Sequence, residues 1–243
     1  MKRLVLSAVL SLCFLSACGS KCETSPECPA QAPTAANENA LALDAAQPNA
    51  QKSEITTKTP IPVGESEIAL PAPADVNVSL TQSLKKRRSI RAYTDEMISL
   101  EQLSALLWSA NGVNREDKKR TAPSAMNKVS VSIYAAFEKG AYKYDALNNK
   151  LNLVTSEDVR PIKAAPLELI LTSFYDNEVI RGIDTGVVSQ NIALYCPATD
   201  LATVIRMYHA QRDAELMKQT SAALKLDPND NLVFNMAIGF ETK

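Results

Sequence analysis

Arg87-Arg88-Ser89-Ile90-Arg91 gathers three guanidinium groups around one hydroxyl, at the exit of what reads as a short helix. Such a cluster can hold a phosphate and neighbouring polar oxygens. Each guanidinium offers a fork of donors and keeps its charge, so its hydrogen bonds to anions are charge-assisted. Downstream, Arg120-Thr121-Ala122-Pro123-Ser124-Ala125-Met126-Asn127 reads as a Pro/Ser/Asn turn that presents backbone and small side-chain donors to a ligand. A basic run alone is most simply a solvated face. The second segment is what points to a ligand.

The elements that must position these groups are legible in outline. Ser79-Leu80-Thr81-Gln82 has capping-box spacing and opens a helix to about Lys86. Ser99 to Gln102 repeats that signature. Leu100, Leu103, Leu106, Leu107 and Ala110 follow at helical spacing, and the helix ends at Gly112. Trp108 rides on this helix as a core residue, with ligand contact as the alternative. Val129 to Phe137, Ala141 to Tyr144 and Leu151 to Val154 read as strands of a hairpin or meander, turning at Lys139-Gly140 and Asn148-Asn149. Leu167 to Thr172 is an apolar strand expected to be buried on both faces. Asp184 to Tyr195 is helical, Leu201 to Met207 a strand or extended crossing, Asp213 to Leu226 a capped helix, and Leu232 to Phe240 the last strand. Strands and helices interleave without clean βαβ units, which predicts an α+β domain, its mixed sheet flanked by helices. Neither a GxGxxG nor a P-loop pattern occurs.

The first eighteen residues read as an address. Lys2 and Arg3 precede a short apolar run, Leu4 to Leu15, too short to span a membrane but right for export. Leu15-Ser16-Ala17-Cys18 resembles the lipobox of bacterial lipoproteins. That resemblance implies a lipidated Cys18, and Gly19 after it implies sorting to the outer membrane of a bacterial cell envelope. Several acyl chains on one residue anchor stably. Residues 19–77 hold eight of the thirteen prolines and no sustained apolar period. They read as a disordered tether, leaving residues 78–243 as one domain. Among the five cysteines, Cys13 would be removed and Cys18 lipidated. Cys22 and Cys28 could form a local disulfide, and Cys196 reads as a buried hydrophobe. With His209 the only histidine, no metal site is expected. The net charge of −1 and the export signal argue against a nucleic-acid partner.

Taken in order, the motifs of residues 78–243 resemble the FMN-dependent nitroreductase family, in a small azoline-oxidase-like subgroup. The run Arg87, Arg88, Ser89, Arg91 looks like the family's first FMN motif. Pro123, Ser124, Ala125 and Asn127 are similar to its Pro-Ser turn, which touches the flavin of the other subunit. Gly140-Ala141-Tyr142-Lys143-Tyr144-Asp145 resembles a hairpin of that subgroup, and Asp184-Thr185-Gly186 with Ser189-Gln190-Asn191 resembles the helix at the family's two-fold axis. Pro197, Thr199, Asp200 and Leu201 lie in a segment like the one facing the flavin's reactive edge. The resemblance implies FMN as cofactor, NAD(P)H as a possible donor and a homodimer. It implies hydride transfer to a nitro, quinone or similar small acceptor, or oxidation of a small substrate. Val187, Val188, Ile192 and Tyr195 would form the apolar helix face at the two-fold axis. No acid or base stands out.

Three departures from the family pattern accompany it. Asp200 stands where relatives usually carry Gly, which would hold the backbone away from the flavin. A helix is missing between Asp158-Val159-Arg160 and Ala165-Pro166-Leu167. Lys243, in the place of longer relatives' phosphate-binding Lys or Arg, is the last residue of the sequence. An exported domain would also meet no pool of NAD(P)H. The alternative is therefore a catalytically decayed, lipid-anchored binding or structural protein on the same scaffold.

Overall fold

Seven strands of the computed structural model, which describes residues 58–207 and 213–242, join into one sheet. In chain order the elements are β1 (Glu67–Ala69), α1 (Leu80–Lys86), α2 (Leu100–Asn111), β2 (Val131–Phe137), β3 (Gly140–Asp145) and β4 (Lys150–Thr155). Then come β5 (Leu167–Ser173), α3 (Glu178–Tyr195), β6 (Ala202–Arg206), α4 (Ala214–Ala223) and β7 (Asn231–Gly239). The strands lie in the order β1-β4-β3-β2-β5-β7-β6. Every ladder between them is antiparallel. The α+β class stands, but the sheet is antiparallel where the sequence reading expected a mixed one. The α3 connection from β5 returns the chain to β6, two strands away, and β7 then inserts between them.

Both expected capping boxes form. Ser79 and Ser99 each accept from the backbone of the residue three on, and Gln82 and Gln102 reach back to the cap N–H. At the far end of α2, a Cβ on Gly112 would run into the Trp108 ring. Glycine there lets the indole fold back and donate to the Val113 carbonyl at 2.9 Å. Leu103, Leu106 and Leu107 are fully buried. At about 1.5–3 kcal/mol for each such side chain, packing rather than intrinsic propensity holds α2 in place.

One sheet face, carrying Ile133, Phe137, Leu169, Leu171 and Met236, is covered by α2 and by Val188 and Ile192 of α3. The other, with Tyr134, Ala136 and Ile170, packs under Val159, Leu224 and Met217. β5 is buried at all seven positions, as its apolar run predicts.

Two boundaries differ from the sequence reading. Residues 58–77 belong to the domain: Ile68 is 1% exposed in β1, which pairs with β4, and Leu70 is also buried. A three-residue strand inside a proline-rich stretch is too short to show a period. Helix α3 starts at Glu178, capped by Asn177, ahead of the expected Asp184. Where the expected helix is missing, residues 158–166 form a loop stapled from below. Buried Glu168 accepts from the N–H groups of Ile162 and Lys163, and Arg160 bonds Asp158 and the Ala165 carbonyl.

Candidate functional site

Three segments meet at the C-terminal end of α3. The Ile90 N–H donates to the Thr203 carbonyl at 3.1 Å, and α1 packs against the turn Cys196–Ala198. The Tyr93 hydroxyl donates to the Ile90 carbonyl, and burial pushes its pKa up. Thr94 and Thr242 exchange backbone bonds with Phe240 and Ala92, which ties residues 90–94 to the chain after β7. Arg87, Arg88, Ser89 and Arg91 are exposed on this ledge. Glu241 takes the Arg88 guanidinium at 2.6 Å, whereas Arg87 and Arg91 form no ion pair among the described residues. Among the described residues, Arg87 and Arg91 are therefore the ledge guanidiniums without an acidic partner, with Arg91 Nη1 donating to the Ser89 carbonyl at 3.4 Å.

Pro197 and Thr199 are half-buried beside this ledge, Leu201 is buried and Asp200 is exposed. Asp200 has φ 59°, the left-handed region that glycine enters most readily. Asp tolerates this region better than most residues, so it can stand at a position that suits Gly. Cys196 is fully buried with its thiol pKa pushed up by burial, the inert hydrophobe expected of it.

The Pro-Ser turn lies elsewhere. Pro123, Ser124, Ala125 and Asn127 sit against the N-terminal half of α3, where the Asp184 carboxylate accepts from the Ala125 N–H at 3.0 Å and the Ser130 hydroxyl at 2.6 Å. The Tyr175 hydroxyl donates to the Ala125 carbonyl, and Ser124 Oγ accepts from the Val129 N–H. Asp184 to Cys196 is twelve residues of helix, or about 18 Å. Within one chain, the first and third motifs come together and the second does not join them. Lys243 and Cys18 lie outside the described residues, as do residues 1–57. Trp108 is half-buried, with its N–H satisfied within its own chain.

A model of the nitroreductase family matches residues 84–226. This chain belongs to the nitroreductase family. A Methanocaldococcus jannaschii protein named as a candidate nitroreductase is 29% identical over 190 residues, 67% of this chain and 94% of that protein. A crystal structure of a candidate nitroreductase from Ralstonia eutropha superposes with a TM-score of 0.68 at 27% identity, covering 76% of this chain and 94% of that one. An FMN-dependent nitroreductase from Clostridium difficile shares the fold at 19% identity and a TM-score of 0.50, over 67% of this chain and 88% of its own.

Several residues that hold these segments in place were not singled out as site residues from sequence. Tyr175 and Glu241 act on motif residues from 50 and 153 positions away, so no spacing announces them, and Tyr93, three residues from Ile90, carries no motif of its own. Asp184 was visible as part of a motif, but its work of tying down the turn depends on β2 lying beside α3.

Proposed function

We propose that the chain is an FMN-dependent oxidoreductase working as a homodimer. In this reading the cofactor lies between the 87–91 ledge and 197–201 turn of one copy and the 123–127 turn of the other. The observation that carries this is the separation itself: two parts of one cradle stand at opposite halves of α3. Val179 and Ile183 project from the helix between them, 69% and 60% exposed.

The ledge suits a phosphate. Arg87 and Arg91 offer exposed guanidinium donors, Arg91 Nη1 already reaching the Ser89 carbonyl at 3.4 Å, and Ser89 stands between them with a directional hydroxyl. The left-handed turn at Asp200 sets the backbone of 199–201 at the edge of the same ledge. When bound, FMN supplies reversible two-electron transfer between a donor and a small oxidised acceptor such as a quinone or nitro compound. The protein's part is to bind, orient and exclude water. Glu241 is matched by Arg88, whereas Asp200 brings negative charge to this edge and would disfavour added negative charge nearby.

If Arg87 and Arg91 each make a charge-assisted bond to the phosphate, Arg87→Ala or Arg91→Ala should weaken FMN binding by about 1.5–3 kcal/mol, or roughly ten- to a hundredfold. Fluorescence titration of the full chain reads this directly, and unaltered titrations would return both residues to a solvated face. The function is tested by the absorbance spectrum of the purified full chain and by quinone reduction, with NADH compared against dithionite. A colourless protein that rejects added FMN would exclude the oxidoreductase. NADH is one donor for this chemistry, and turnover with dithionite alone would point to another.

The anchor is part of the proposal and rests on residues 1–18. Cys18→Ser is expected to abolish metabolic labelling by palmitate, and a variant still labelled would remove the lipid anchor.

A further inference from the structure

Away from that ledge, a cleft of about 360 Å³ opens between the end of α2, the start of β2 and the β3–β4 hairpin. That is the small end of the range for small-molecule sites. Two polar groups that line it are buried and unanswered. Tyr144 is 9% exposed, and its hydroxyl has no hydrogen-bond partner among the described residues. The same holds for Arg120 Nε, while the Nη1 of that guanidinium donates to the Asn111 carbonyl at 3.4 Å.

The two charged neighbours, Asp145 and Lys143, are engaged elsewhere. The Asp145 carboxylate accepts from the N–H groups of Leu147 and Asn148 and from the Asn148 side chain. The Lys143 ammonium sits 5.6 Å over the Tyr134 ring. Arg120 and Tyr144 feel each other: burial pushes the Tyr144 hydroxyl up to about 12, and the guanidinium acts in the opposite sense. The walls are mixed: Val129, Ile133 and Leu147 give the apolar part, and Ser132, Asn152, Lys143 and Asp145 the polar part. A cationic N–H and a neutral O–H, both buried without an acceptor, call for one anionic acceptor, and Val129, Ile133 and Leu147 can pack on an apolar body attached to it. A carboxylate has two oxygens to offer them and a single charge for Arg120 to match.

We propose that this cleft binds a small carboxylate on an aromatic or aliphatic body, with Arg120 Nε–H and the Tyr144 hydroxyl donating to its oxygens. The site is distinct from the flavin ledge and does not depend on flavin being present.

Calorimetric titration of the full chain with benzoate, and with benzylamine as the opposite charge on a similar body, tests it with and without added FMN. Benzoate should bind in both conditions and benzylamine in neither. Arg120→Gln should weaken benzoate about ten- to a hundredfold and Tyr144→Phe about fivefold. Tyr144→Phe keeps the packed ring, so it decides the matter if Arg120→Gln does not fold. No benzoate binding, equal binding of benzylamine, or unchanged affinity in Tyr144→Phe would overturn the proposal. Competitive displacement of benzoate by FMN would overturn it as well, by assigning the cleft to the cofactor.

Discussion

Asp184→Ala is expected to destabilise the domain by about 2–4 kcal/mol and to release whatever the 123–127 turn holds. Asp184 is 2% exposed, and its carboxylate accepts from the Ala125 N–H and the Ser130 hydroxyl. Alanine would leave the buried Ser130 hydroxyl and the half-buried Ala125 N–H without this partner, at about 1–3 kcal/mol for the former and less for the latter. The relief of no longer burying a carboxylate offsets part of that cost. The turn also stores strain. Met126, Asn127 and Val129 all have φ between 50° and 55°, and Val129 is β-branched, the least tolerant type in that region. Backbone held this way costs about 1–3 kcal/mol per residue and persists only where its surroundings over-determine it. Asp184, Tyr175 and Ser124 are those surroundings, so losing the first should let the turn relax toward ordinary φ. Asp184→Asn is expected to cost only about 1 kcal/mol, because its amide oxygen can still accept from Ala125 while Ser130 reverses its role. Denaturant midpoints for the two variants, with flavin retained through gel filtration, check both halves. An alanine variant with wild-type stability and flavin content would mean that the carboxylate does not hold the turn.

How much of this was readable in the chain follows from how local each signal is. The capping boxes at Ser79 and Ser99, the apolar period of α2 and the uninterrupted run of β5 all lie within one element, and all appear where the residues put them. Ile68 had no such signal: three residues among prolines become a strand only because β4 offers its edge. The first turns of α3 carry Gly182 and Gly186 nearby, which weaken a helical reading, although Asn177 was a sound cap. At the site, the basic cluster was legible as a cluster, but not that Glu241, 153 residues away, would claim Arg88. The Asp200 departure looked like damage from sequence, because composition does not report φ. The missing helix likewise looked like a gap until Glu168 was seen bonding the loop that replaces it.

Ile183→Glu is expected to turn the proposed dimer into a monomer and to strip the flavin with it. The residues that the helical pattern offered for a two-fold contact mostly face inward instead. Val188 and Ile192 are 2% and 0% exposed in the chain's own core, and Val187 and Tyr195 are half-buried. What α3 leaves outside is Val179 and Ile183, together with Gly182 and Gly186, where an added Cβ would meet nothing within 4 Å. Glycines one turn apart, beside exposed apolar side chains, let a second helix come close enough to bury those side chains. Each Val or Ile so covered contributes about 1.5–3 kcal/mol, and two-fold symmetry counts every contact twice. A glutamate at 183 inverts that balance. Two carboxylates would be buried near one axis without cations, and the effective penalty is several kcal/mol per ion. In the separated chain the same side chain stands in water, so the variant should fold, with an unchanged circular dichroism spectrum. Light scattering and the flavin absorbance of one sample decide between the cases. A dimeric Ile183→Glu variant would place the two-fold axis on another face. A monomeric parent chain that still holds FMN at one per chain would show that a single copy completes the cradle.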